Sequence, residues 1–289
     1  MSPVFDCTTP EGLADAIPKA ADGVRSGQLV VLPTDTLYGV GADAFSPNAV
    51  TALLGAKGRG RDVPPPVLIG DVATVDGLAM DVPDYARALM AAFWPGPLTL
   101  VLEAQPSLAW DLGETSGTVA LRMPDDEVAL TLLRATGPMA VSSANRTGNP
   151  ASRTVLDAAA QLGSSVTYYL DGGPVRGGLA STIVDCTKDE PEILRLGALA
   201  QDEISAVVDP ILERARRAAE EAVETEAVEP EAVEPEAVET VESDPADSDH
   251  GGSEPDSPEP AASDPAQVDT VDLPTSDDPA DPAKELHQS

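Results

Sequence analysis

Short apolar runs alternate with amphipathic stretches over the first two hundred residues, and then the pattern stops. An Ala-rich stretch up to Ser26 predicts a helix. Thr8 with Glu11 gives it a capping-box spacing, Pro18 predicts a kink or break within it, and Gly27 ends it. Apolar spacing predicts further helices over 47–56, 84–93, 125–135 and 154–162, and a last one beginning near Gln201. Brief runs of β-branched and aliphatic residues predict strands over 28–32, 67–69, 98–102, 118–122, 139–142, 167–170, 181–185 and 192–196. About eight strands and six helices in roughly 200 residues suit one domain of ordinary size. The alternation is too irregular for a purely doubly wound sheet, so the expected class is α+β: a mixed, twisted sheet with helices on both sides, a three-layer α/β/α arrangement.

From Glu221 onward the repeat Glu-Ala-Val-Glu-Pro gives way to Asp, Pro, Ser and Ala. This stretch has no aromatic residue and too little apolar surface to offset its chain entropy, so an acidic, disordered tail is expected over 221–289. The organisation read from this is a domain over 8–208, a helical extension over 209–220, and the tail, whose expected role is in solubility.

The tail changes how the charge is read. The formal net charge is -33, from 17 Lys and Arg against 50 Asp and Glu. The tail holds 22 of the acids and one base, Lys284, so the first 220 residues are only mildly acidic. No apolar run is long enough to span a membrane and no secretory signal pattern opens the chain, so a cytoplasmic setting is expected. Cys7 and Cys186 match no metal-ligand spacing, and both are read as reduced and buried. The two histidines, His250 and His287, lie in the tail. The domain therefore has no histidine for a Ser-His-Asp site, a general base or a zinc ligand, which leaves chemistry run by positioning and charge.

Against this background, Lys57-Gly-Arg59-Gly-Arg61 places three cations within five residues. Glycines that admit a close backbone approach, with Lys and Arg between them, suit an anionic ligand. Other polar groups stand where predicted strands end: Thr34 and Thr36, Arg122, Ser142 to Arg146, Ser181, and Arg195. An Arg closing an apolar strand calls for a fixed anionic partner, either an internal carboxylate or a ligand.

In order, the segments PTDTLYGVGADA, AKGRGRDVPPP, FWPGPLTLVL, VALRMP, SSANRTG, STIVD and ILRLG resemble the YrdC-type threonylcarbamoyl-AMP synthases. The resemblance covers about residues 10–205 and implies a YrdC/RibB-like fold. It implies that L-threonine and bicarbonate form a carbamate, which attacks the α-phosphate of ATP and releases pyrophosphate. Magnesium would accompany the ATP, with no protein metal site and no tightly bound cofactor. A downstream transferase complex would pass the group to the adenosine beside the anticodon of tRNA.

By the same resemblance, Lys57, Arg59, Ser143 and Asn145 carry the chemistry. Thr34 or Thr36, Arg122, Ser143 and Ser181 hold threonine, with Arg122 on its carboxylate. Lys57, Arg59, Thr118, Asn145, Arg195 and either Ser152 or Arg153 face the nucleotide. The basic motif departs from many relatives after Arg59, and Arg61 is expected to substitute for a missing partner. Longer members carry a second folded domain where this chain has its tail. The alternative is an RNA-binding protein of the same fold without catalysis; weak tRNA or RNA contact fits either reading. Low aromatic content (3%) and the acidic tail disfavour the alternative.

Overall fold

The computed structural model describes residues 2–226, so the tail expected over 221–289 lies outside the described residues except for its start, 221–226. The elements run β1 (Val4–Asp6), α1 (Pro10–Arg25), β2 (Val30–Leu32), β3 (Gly39–Asp43), α2 (Pro47–Lys57), β4 (Val67–Leu68), α3 (Val75–Leu78), α4 (Asp84–Phe93), β5 (Leu98–Glu103), β6 (Thr118–Arg122), α5 (Glu127–Thr136), β7 (Met139–Ser143), α6 (Val155–Leu162), β8 (Tyr168–Asp171), β9 (Thr182–Asp185), β10 (Glu192–Arg195) and α7 (Gln201–Glu226). All ten strands join one mixed sheet, ordered β1-β8-β2-β3-β7-β4-β6-β5-β9-β10. The β1–β8, β2–β8, β4–β6 and β5–β9 pairs are parallel; the others are antiparallel.

Strand alternation divides the core into two faces. Val30 and Leu32 pack with Met139, Val141 and the buried faces of α1 and α5. Val31, Val40, Ala42, Val67 and Ala140 point the other way, into the larger core with α2, α4, α6 and the start of α7. The expected three-layer α+β architecture is the one observed.

Two strands escape the sequence pattern. β1 is a three-residue edge strand. β3 reads Gly-Val-Gly-Ala-Asp, and glycine argues against a strand interior. The sheet needs those glycines: a Cβ on Gly39 would lie 2.6 Å from Val141 Cγ1, and one on Gly41 would lie 2.8 Å from Met139 Cε.

At α1 the cap is Thr9, whose Oγ1 accepts from Gly12 N at 3.1 Å, while Thr8 bonds to Asp6 instead. The helix also runs unbroken through Pro18, because Ala16, Ile17, Ala20 and Ala21 on either side are buried together against the sheet. Its end at Arg25, with Ser26 capping and Gly27 at φ 79°, is as expected. α7 is continuous from Gln201 to Glu226, so the boundaries at 208/209 and 220/221 fall inside one helix. Glu, Ala and Arg are good helix formers and carry it on.

Candidate active site

The polar residues singled out from the sequence gather at three places where strands give way to loops.

The first is built at the C-terminus of α2. Lys57 is the last helical residue, and Gly58 at φ 62° takes the left-handed cap position that turns the chain toward Arg59. Lys57 is 1% exposed. Its ammonium donates to the carbonyls of Ser143 and Asn145, the latter at 2.8 Å. Two of its three N–H bonds thus hold the turn that leaves β7. Burial, and then the charge of Arg59, pull this ammonium down to about 8. Arg59 Nη1 donates to Ser142 Oγ at 3.0 Å, and burial lowers its pKa also. The loop is further tied by Thr147 N, which donates to Lys57 O at 2.9 Å.

Asn145 completes this group. Its amide nitrogen donates to the carbonyls of Arg146 and Asn149 at 2.9 and 2.8 Å, which fixes the amide orientation. Its Oδ1 is buried and has no hydrogen-bond partner, the one such side-chain atom among the described residues. A buried acceptor left unpaired costs about 1–3 kcal/mol, so this oxygen is set toward a donor or cation that the chain itself does not supply.

The second place surrounds Arg122, which closes β6 and is buried. Nε donates to Gly96 O at 3.0 Å, Nη1 to Thr36 Oγ1 at 3.0 Å, and Nη2 to Asp35 Oδ1. Of the two alternatives left open for this arginine, the fixed partner is an internal carboxylate. Three of its five N–H bonds are placed, which leaves one on each terminal nitrogen for a ligand. Burial works against its charge and Asp35 works for it. Thr34 shapes the turn beneath: its Oγ1 donates to Leu37 O at 2.6 Å and accepts from Leu37 N and Thr36 N, each at 3.2 Å. The glycine-rich loop after β8 packs on the same turn, with Gly178 N donating to Thr36 O at 2.9 Å.

The third place joins Ser181 and Arg195. Ser181 Oγ bonds with Thr99 Oγ1 at 2.9 Å, and Arg195 Nη2 donates to Ser181 O at 2.8 Å and to its Oγ at 3.2 Å. Arg195 is close enough to Arg122 for its charge to act on it. Burial lowers the pKa of Arg195 itself.

Other expected residues stand apart from these groups. Ser152 is 1% exposed, and its hydroxyl donates to Ala144 O at 2.5 Å, so it braces the loop. Arg153 is exposed and lies against the glycine-rich loop, 2.9 Å from where a Cβ on Gly178 would sit. Arg61 pairs at the surface with Asp111 at 2.5 Å. Thr118 Oγ1 donates to Thr115 O at 2.8 Å. Two participants escaped the sequence reading: Asp35, between the two threonines that were named, and Thr99, inside a strand.

A separate cavity of about 820 Å³ lies between α4, the turn at 186–189 and α7. Its walls carry Asp81, Asp84, Glu103 and Asp189 beside Lys188 and Arg214, and none of the residues above lines it. Among the described residues no group of three or more His, Cys, Asp or Glu is placed to hold a metal ion, and no helix is long and apolar enough to cross a membrane.

Residues 22–197 match the Sua5_yciO_yrdC family, described as Telomere recombination. A Mycobacterium tuberculosis protein is 52% identical over 208 residues, which cover 72% of this chain and 96% of that one. The Bacillus subtilis relative, named threonylcarbamoyl-AMP synthase, is 40% identical over 198 residues, covering 68% of this chain and 57% of its own length. Among solved structures, P. abyssi Sua5 complexed with L-threonine superposes with a TM-score of 0.68 at 35% identity, over 72% of this chain and 61% of that chain.

Proposed function

The chain belongs to the Sua5/YciO/YrdC family, and from that premise we propose that it is an L-threonylcarbamoyladenylate synthase, which makes threonylcarbamoyl-AMP and pyrophosphate from L-threonine, bicarbonate and ATP. The observation that carries the reading is the convergence of Lys57 and Arg59 on the Ser142–Asn145 turn. It puts a buried lysine and a half-buried arginine beside an unpaired acceptor, in a domain without histidine.

The reaction has two bond-forming steps. The neutral threonine amine attacks the bicarbonate carbon; the N–C bond forms, a C–O bond breaks, and water leaves with the displaced proton. A carbamate oxygen then attacks the α-phosphorus of ATP. The new P–O bond forms as the bond to the β-phosphate bridging oxygen breaks, and pyrophosphate departs. Neither step requires a protein nucleophile. Both require anions to be brought together, and that is what a fixed cationic site in a desolvated setting contributes.

In this reading Arg59 and the remaining N–H of Lys57 neutralise the triphosphate and the carbamate. The two free N–H bonds of Arg122 take the threonine carboxylate, with Thr36, Ser143 and Ser181 around its other polar groups. Thr34 acts through the turn it holds. Asn145 serves the nucleotide side through Oδ1. Arg195, Arg153 and Thr118 are nucleotide contacts by resemblance, with Arg153 preferred to the enclosed Ser152. Arg61 would have to leave Asp111 to reach a ligand.

Magnesium supplies charge neutralisation when it is bound to the triphosphate. Asn145 Oδ1, the buried unpaired side-chain oxygen among the described residues, is the protein group that would face such an ion. The product is a reactive mixed anhydride, so a transferase complex acting on the adenosine beside the tRNA anticodon belongs to the proposal, as does a cytoplasmic setting. The relatives bear the name of the synthase, which supports this reading over RNA binding without catalysis. The test is pyrophosphate release that depends on both L-threonine and bicarbonate.

A further inference from the structure

Asp35 enters no role above except as the partner of Arg122, yet its geometry is that of a receptor. Its Oδ1 is fully engaged, accepting from Arg122 Nη2 and from Asp125 N, the latter at 3.1 Å. Its Oδ2 has no hydrogen-bond partner among the described residues and is not among the buried unpaired atoms, so it is open. The side chain as a whole is 12% exposed against 8% for Arg122. The charged groups around it are of both signs: Arg122 in direct contact, with Asp126 and Arg176 nearby. Asp126, the N-cap of α5, is near enough for the charge of Asp35 to raise its pKa alongside burial. Arg176 is engaged nearby, donating to Asp125 O at 3.0 Å.

We infer that Asp35 is the receptor for the ammonium group of the amino-acid substrate, through Oδ2, beside the Arg122 guanidinium that takes its carboxylate. The inference rests on the threonine assignment above. The two ionic groups of an α-amino acid are one carbon apart, so their receptors must be neighbours. Asp35 and Arg122 are in direct hydrogen-bond contact, and each keeps a group with no hydrogen-bond partner among the described residues, so they meet that condition. The pair is internally neutral, so it favours a zwitterion over a simple carboxylate. It thereby gives the site a means of choosing amino acids over the many carboxylates of similar shape.

The test is calorimetric titration of the full-length protein with L-threonine and with 3-hydroxybutanoate, which keeps the carboxylate and hydroxyl but lacks the amine. Asp35→Asn retains an oxygen that accepts from Arg122 and Asp125 N and removes only the charge. It is expected to weaken L-threonine about 10- to 100-fold while changing 3-hydroxybutanoate by less than about threefold. Equal weakening of both ligands would show that Asp35 acts only by placing Arg122, and no weakening of either would remove it from the site; each result overturns the inference. If Asp35→Asn loses its cooperative thermal transition, Asp35→Glu decides. With the carboxylate retained, it should still prefer L-threonine to 3-hydroxybutanoate by about tenfold, and loss of that preference overturns the inference. Failure of the wild type to bind L-threonine overturns the substrate assignment itself, a separate outcome that no Asp35 variant would produce.

Discussion

Lys57, at the end of α2, reaches across to the turn after β7 and donates its ammonium to the carbonyl of Asn145 at 2.8 Å. The contact makes this lysine a clamp on the Ser143–Asn145 turn as well as a charge. Lys57→Ala should therefore cost both properties. Two buried carbonyls lose their donor, which predicts about 1–3 kcal/mol of lost stability in denaturant titrations. Turnover should fall to background. Arg59→Ala removes a bond to one hydroxyl and should abolish turnover with little change in stability. Equal stability losses in the two variants would contradict the clamp.

The same lysine sets a pH dependence. Its folded pKa of about 8 lies below the ordinary 10.5, so the folded state releases this proton first as pH rises. Between about 8 and 10.5 the unfolded chain binds more protons at this position, and the contribution of Lys57 to stability rises with pH across that window. Activity runs the other way, because the ammonium is lost. The kcat/KM for ATP should fall as pH rises through about 8, and prebound triphosphate should move the fall upward by stabilising the charge. A kcat/KM profile for ATP that is flat to pH 10 would contradict this.

Arg122 uses three N–H bonds internally and has two left. Lysine in its place keeps the charge but cannot span Gly96, Thr36, Asp35 and a carboxylate together. Arg122→Lys should raise KM for L-threonine by about tenfold or more and leave KM for ATP within about threefold. A rise confined to ATP would move Arg122 to the nucleotide side.

The glycines of β3 give a prediction about the frame. Gly39→Ala would put a Cβ 2.6 Å from Val141 Cγ1, in a part of the sheet where Gly39 lies opposite Ser143. Overpacking of this kind costs about 1–3 kcal/mol. The lowered melting temperature should come with lost activity, because Ser143 is displaced. Gly55→Ala, where nothing lies within 4 Å of the added carbon, should be neutral or stabilising.

These cases show how far the sequence could be read. The strands carrying the site, β6 over Thr118–Arg122 and β7, were legible because apolar runs ended in polar turns. So were the helices with clear caps, such as α6 behind Thr154. β3 was not legible, because its glycines are dictated by Val141 and Met139, a hundred residues away in the chain. Of the kink or break expected at Pro18, the break does not occur, because the burial that holds α1 together is tertiary. In the site, the cations were visible through their scarcity. Asp35 was not, since one acid among 50 stands out only when its oxygen is seen on Arg122. Ser152 and Arg153 stood as alternatives for one nucleotide contact, and the bond from the Ser152 hydroxyl to Ala144 O is a feature that only the structure shows.

The central claim is most directly tested by pyrophosphate release from ATP by the purified full-length protein, with L-threonine and bicarbonate added singly and together. The account predicts release only when both are present, with serine a weaker substrate. Release that ignores threonine, or none at all from folded protein, would contradict it.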